Sequence, residues 1–203
     1  MIPQEVNSRA LDAAGLDVLF RQAHTAYSFT GQPVDDEQLL AIYDLMSLGP
    51  TAMNSQPLRV TYVRTPEAKA RLLPHLAEGN RAKSHSAAAV AILAADTDFH
   101  RHLGHVAPHQ NGARERYEAD EDGRVKAAMF NATLQAGYFI IAARAVGLDA
   151  GPMGGFDRQG VDAEFLAGTA LRSILVVNLG HVAEDGNRPR APRIERFDAV
   201  SIV

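Results

Sequence analysis

The feature that most limits the folds open to this chain is the segment Val125 to Val146. It has helical length and is apolar on nearly all sides, through Val125, Ala128, Met129, Ala132, Leu134, Ala136, Phe139, Ile140, Ala143 and Val146. A helix without a polar face belongs in a core or between subunits. Its many alanines permit close helix approach, and Gly147 closes it.

Other segments supply what such a helix can pack against. Ala10 to about Ala23 reads as a helix, with Leu11, Ala14, Val18 and Leu19 on one face. Asp35 opens the next, and Gln38 completes a capping box. Leu39, Ile42, Tyr43 and Met46 are its expected buried stripe, and Gly49-Pro50 ends it. Arg59 to Arg64 has strand composition. Thr65-Pro66 reads as a cap and first helical residue, for a helix to about Leu76 that Pro74 should end early. Ala87 to Ala95 is a continuous apolar run of strand length, as burial on both faces would require. Asp157 to Phe165 is a short helix, and Ser173 to Leu179 a second buried strand. Three visible strands among helices give an α/β or α+β class. Residues 1–203 read as one domain, with a charged, histidine-rich, lid-like excursion at about 99–123.

Composition excludes several functions. Net charge is −4 with scattered basic residues, which argues against nucleic acid. Without cysteine there is no disulfide and no thiolate metal site. No run reaches the ~18 apolar residues of a membrane span. Met1 to Arg9 lacks the apolar core of a signal peptide, so a cytoplasmic protein is expected. A dinucleotide fingerprint, a P-loop and the nucleophile and zinc motifs of hydrolases are all missing.

Four places can carry chemistry. Gly151-Pro152-Met153-Gly154-Gly155-Phe156 is either a turn-rich helix connection or backbone that approaches a flat ligand. The polar loop Thr51 to Pro57 is either a plain link or a rim for a heteroaromatic ring, where Asn54 can donate and accept. Asn80 and Lys83 are a surface turn, or one amide and one cation for the same ligand. The arginines of Arg188 to Arg193 either solubilise the chain or grip a phosphate. His100, His102, His105 and His109 read as a solvated lid rather than a metal site, since no carboxylate lies between them.

Taken together, the blocks Leu45-Met46-x-Leu48-Gly49-Pro50-Thr51-x-x-Asn54-x-x-Pro57, Gly79-Asn80-x-x-Lys83 and Ala145-Val146-Gly147-Leu148-Asp149-x-Gly151 through Asp157 resemble the FMN-dependent nitroreductase family. The match is nearest to its malonic semialdehyde reductase branch, also called the 3-hydroxypropionate dehydrogenase type. The tail Arg190-Ala191-Pro192-Arg193 fits the same pattern. The resemblance implies an α+β fold, a three-layer α-β-α sandwich, built as an intertwined homodimer with FMN at the interface. It implies cofactor contacts from His24, Thr25 and Tyr27, from Pro50, Thr51 and Asn54, from Asn80 and Lys83, from Pro152, Met153, Gly154 and Gly155, and from Arg188, Arg190 and Arg193. The branch carries an arginine where this chain has His24. It further implies ping-pong hydride transfer from NADPH or NADH to a small acceptor, malonic semialdehyde giving 3-hydroxypropanoate. A broad nitro- or quinone reductase is the alternative, and a non-catalytic flavin-binding protein the second. No side chain is assigned as catalytic and no metal is expected.

Overall fold

The structure, a computed structural model, describes residues 10–203, so the reading of Met1 to Arg9 lies outside it. Along the chain run α1 (Ala13–Leu16), a π-helical turn over Asp17–Arg21, α2 (Asp36–Ser47), β1 (Leu58–Val63), α3 (Pro66–Leu72) and α4 (Glu78–Ser86). Then come β2 (Ala89–Asp96), α5 (Leu103–Val106), α6 (Ala113–Ala119), α7 (Glu121–Ala145), β3 (Asp149–Met153), α8 (Arg158–Phe165), β4 (Leu171–Gly180) and α9 (Arg196–Ala199).

The strands form one antiparallel sheet in the order β1-β2-β4-β3. Every residue of β2 is buried, which explains why its sequence does not alternate. Its side chains still divide between two faces. Ala89, Ala91, Leu93 and Ala95 pack with Leu39, Ile42 and Met46 of α2 and Phe139 of α7. Val90 and Ile92 pack with Leu72 of α3 and Val161 of α8. Helices therefore cover both sides of the sheet, in the α-β-α sandwich the resemblance implies.

The fourth strand was hidden by its composition. Gly151 to Met153 reads as a link after a helix, yet it belongs to edge strand β3, paired with β4 from Asp149↔Gly180 to Met153↔Val176. An edge tolerates Pro152, which has no N–H for a ladder. Gly151 answers to a different constraint: a Cβ there would lie 2.7 Å from the Ala26 carbonyl oxygen. Ala26 N–H donates to Ala150 O at 3.1 Å, and Tyr27 N–H to Gly186 O at 2.8 Å. The segment after the π-helical turn is thus laced between β3 and the loop beyond β4.

Several local expectations need correction. The expected helix over Ala10 to Ala23 is one α-turn and a π-helical turn. Asp35 does accept from the Gln38 N–H at 2.7 Å, but the Gln38 side chain donates to Val146 O instead of closing the box. Tyr43 lies at the edge of the α2 stripe and is exposed. Asn80 and Lys83, for which a surface turn is one of two readings, lie on helix α4. In the excursion His102, His105 and His109 are exposed, as a solvated segment requires, but the segment is not unpatterned. It folds into α5 and α6, and His100 is 1% exposed with Nε2 2.6 Å from Glu118 Oε2. That contact holds the Glu118 carboxyl below its usual range.

Within the described residues α7 has one buried face and one open face. Its buried polar groups serve neighbouring backbone: Asn131 Oδ1 accepts from Ala52 N–H at 2.7 Å, and Gln135 Oε1 from Leu58 N–H at 3.0 Å. Phe130, Leu134 and Tyr138, four residues apart along the helix, remain exposed. A Cβ at Gly49 would sit 2.7 Å from the Tyr138 ring, so the α2 terminus closes directly on α7.

Replacing Gly151 with alanine should force Ala26 off β3. The expected loss is about 1–3 kcal/mol, typical of an overpacked site, read as a lower urea midpoint. An unchanged midpoint would show that the close approach is not a constraint.

Candidate functional site

The lacing of residues 26–30 onto β3 and the loop after β4 has a chemical consequence. It delivers His24, Thr25 and Tyr27 to a cavity of about 350 Å³ whose opposite wall is Arg188, Pro189, Arg190 and Arg193. Phe20 and Arg144 complete the floor. No carboxylate lines it among the described residues. Four guanidinium groups facing one space, with no acidic partner, create a strongly positive potential suited to an anion.

Each cation is held by identifiable contacts. The Arg188 guanidinium carbon lies 4.0 Å from the Tyr27 ring centre, and Lys83 Nζ lies 5.0 Å from the same ring. Burial and the neighbouring Arg188 charge push the Lys83 pKa down. Arg144 Nη1 donates to Leu19 O at 3.0 Å. Arg190 Nη2 donates to Arg21 O at 2.9 Å and Ala23 O at 2.7 Å. These two arginines therefore satisfy carbonyls that the π-helical turn leaves open, the usual need at a helix C-terminus. Burial, then the Arg190 charge, lowers the Arg144 pKa, while Asp149 opposes the shift. Arg193 Nη1 donates to Ala191 O at 2.9 Å.

The glycine segment continues from this region along α4. Asn80 Nδ2 donates to Gly155 O at 2.8 Å, and Ala77 N–H to the same carbonyl at 3.0 Å. The carbonyl side of the segment is thereby fixed. Beyond the strand ladder, the N–H groups of Gly154 and Gly155 find no acceptor among the described residues. Both residues are exposed, and a Cβ built at Gly154 would meet nothing within 4 Å. Gly154, Gly155, Asn80 and Lys83 lie outside the cavity lining. They are linked to it through Asn80 on Gly155 O and Lys83 on the Tyr27 ring. Two free donors set apart from the cations fit a mononucleotide whose phosphate and flat ring lie apart. Met153 is buried beneath them and Pro152 half-buried in β3.

Pro50, Thr51 and Asn54 do not line the cavity. Their loop is wired elsewhere in the same chain. Asn54 Nδ2 donates to Val106 O at 2.7 Å, and Asn54 Oδ1 accepts from Gln56 Nε2 at 2.8 Å. Thr51 Oγ1 accepts from Gln56 N–H at 3.2 Å. Met53, Asn54 and Gln56 have positive φ of 54°, 51° and 42°, a costly conformation that such wiring maintains.

Arg144 was not anticipated from sequence. The signal was available: it is a lone cation at the end of the apolar run Ile140 to Ala143. A half-buried arginine there needs a partner. Among the described residues, no group of three or more His, Asp or Glu is arranged to hold a metal. No described helix is long and apolar enough to cross a membrane.

Comparison with known proteins bears directly on this arrangement. The sequence profile described as "Nitroreductase family" matches residues 20–181. A Leptothrix cholodnii protein provisionally named NADH dehydrogenase/NAD(P)H nitroreductase is 52% identical over 196 residues, covering 97% of this chain and 99% of that protein. A Streptomyces coelicolor protein with the same provisional name is 54% identical over 182 residues, 90% of each chain. Among solved structures, a provisionally assigned nitroreductase of Bacillus subtilis superposes with a TM-score of 0.83 at 22% identity, covering 95% of this chain and 100% of the other. Another from Exiguobacterium sibiricum, solved in complex with FMN, gives 0.82 at 18% identity, covering 96% and 98%.

An anion entering the cavity should draw the Lys83 proton equilibrium back toward the charged form, because opposite charge favours it. Calorimetric titration with inorganic phosphate at alkaline pH, in two buffers of different ionisation enthalpy, should therefore show net proton uptake that weakens with added salt. Heats identical in both buffers would remove Lys83 from the site.

Proposed function

The chain belongs to the nitroreductase family, and from that premise we propose that it is an FMN-dependent NAD(P)H oxidoreductase reducing a small aldehyde such as malonic semialdehyde. The observation that carries the cofactor reading is the carboxylate-free cavity of four arginines together with two unpartnered glycine N–H groups outside its lining. FMN, when bound, supplies the hydride chemistry, accepting from NADPH or NADH and delivering to the acceptor.

The residues of this chain bind and orient. Arg188 and Arg190, with Lys83 and Arg144 behind them, hold the phosphate by charge-assisted hydrogen bonds. His24 and Thr25 border it. The Tyr27 ring packs against both Arg188 and Lys83. Asn80 fixes the Gly155 carbonyl, which would leave the Gly154 and Gly155 N–H groups free to donate to the ring when FMN is bound. Fixed main-chain donors of this kind need no reorganisation when the ring's charge changes.

The loop with Pro50, Thr51 and Asn54 reaches the ring from a second copy of the chain in this reading. The exposed apolar stripe Phe130, Leu134 and Tyr138 on α7 supports that division. The tail adds Phe197 and Ile202, both more than nine-tenths exposed in the single chain. Exposed apolar side chains of this kind support an interface there. The resemblance in the Gly151 to Asp157 block supports malonic semialdehyde as acceptor. The provisional names of the relatives favour a second reading, a broad nitroaromatic or quinone acceptor.

Flavin-loaded protein titrated anaerobically with NADPH should bleach, and malonic semialdehyde should restore the colour faster than a nitroaromatic. Flavin that stays oxidised under excess NADPH would leave a binding protein without turnover. Arg190→Ala should weaken FMN binding by about 1.5–3 kcal/mol, the scale of a hydrogen bond to a charged group. Unchanged flavin retention in that variant would exclude Arg190 from the phosphate site.

A further inference from the structure

One helix reaches both Tyr27 of the basic cavity and the glycine segment. From α4, Lys83 faces Tyr27 in the basic cavity, Asn80 holds Gly155 O, and Ser84 turns the other way, into the core. Ser84 Oγ donates to Met153 Sδ at 3.9 Å. Asn178 of β4 donates to the same sulfur from Nδ2 at 3.7 Å. Ser84 and Asn178 are fully buried, and Met153 is 4% exposed. A thioether is a weak acceptor, yet two buried donors from two different elements converge on this one.

The arrangement is expensive where an apolar core would not be. Asn178 Oδ1 is buried without a partner among the described residues. A leucine of similar shape would bury no orphaned acceptor and would leave only a weak thioether acceptor one donor short, which costs little. Stability alone therefore does not account for asparagine at 178. Its position does suggest a reason. Met153 is the last residue of β3, and Gly154 and Gly155 follow it directly. Fixing the Met153 sulfur to α4 on one side and β4 on the other sets where the two free N–H groups stand relative to Lys83 and the arginines.

We infer that Ser84 and Asn178 are positioning residues, which act through the Met153 sulfur to fix the Gly154–Gly155 amides against the cation-lined cavity. They touch no ligand. The inference rests on the functional reading above only for its consequence in turnover. The mechanical half stands on the flavin-free chain, where Phe156 N–H donates to Gly154 O and Ala77 N–H to Gly155 O. Those two amides report whether the glycine segment is held.

The test compares wild type with Asn178→Leu, and with Ser84→Ala as a second variant. In flavin-free protein the Asn178→Leu thermal midpoint should equal or exceed that of wild type. Hydrogen exchange at the Ala77 and Phe156 amides should nonetheless be about tenfold faster in both variants, as local opening becomes easier. After loading with FMN, bleaching by NADPH should be about tenfold slower, the effect of a small misplacement of reacting groups. A merely structural role would lower midpoint and protection together, and that outcome in Asn178→Leu overturns the inference. Wild-type exchange in both variants also overturns it. Faster exchange in a protein that takes up no flavin would uphold the positioning role and sink the functional reading instead.

Discussion

The contact of the Ala26 carbonyl with Gly151 is the constraint on which the site depends. A side chain at 151 would separate the two, since its first carbon would stand 2.7 Å from the oxygen. With glycine there, residues 26–30 settle between edge strand β3 and the loop after β4. His24, Thr25 and Tyr27 are carried with them to the arginines of the C-terminal segment. Parts nearly 170 residues apart in sequence, as in the Arg190 to Arg21 hydrogen bond, meet for that reason. The cations then need no carboxylate to fix them. Tyr27 and the open carbonyls of the π-helical turn do so instead, leaving their charge available to a ligand.

A second consequence is the division of labour between backbone and side chains. The glycine segment has its carbonyls tied down and its N–H groups free. A flavin needs a held donor near its ring and a cationic grip on its phosphate, and no acid or base of the protein in between. The histidine-rich excursion is folded, with His102, His105 and His109 exposed. Its His100 is buried against Glu118, and its α5 backbone is fastened by Asn54 to the loop before β1.

How much could be read beforehand follows physical range. Local signals held: the Asp35 cap, the Thr65-Pro66 start and the Pro74 stop each act within a few residues, and the structure shows all three. The unbroken apolar run around Ala89 to Ala95 marked the central strand. Strand β3 escaped because Gly151 and Pro152 are poor strand formers, placed there by an edge and by Ala26, which the local sequence does not reveal. Helix α4 escaped because its polar residues show no apolar stripe; only Ser84 is buried. Tyr43 was assigned inward by spacing, whereas the packing against α7 uses Leu39, Ile42 and Met46. Among candidate site residues, the tail arginines and the Asn80–Lys83 pair were named by the family resemblance, and the structure brings the arginines but not that pair into the cavity lining. Arg144 was not, because its role exists only once α7 ends beside the π-helical turn.

The most direct measurement is a structure of the protein with FMN bound. The expected result places the ring within hydrogen-bonding distance of the Gly154 or Gly155 N–H and the phosphate among Arg188, Arg190 and Lys83. A ring bound away from the glycine segment, with the phosphate outside the arginine cavity, would contradict it.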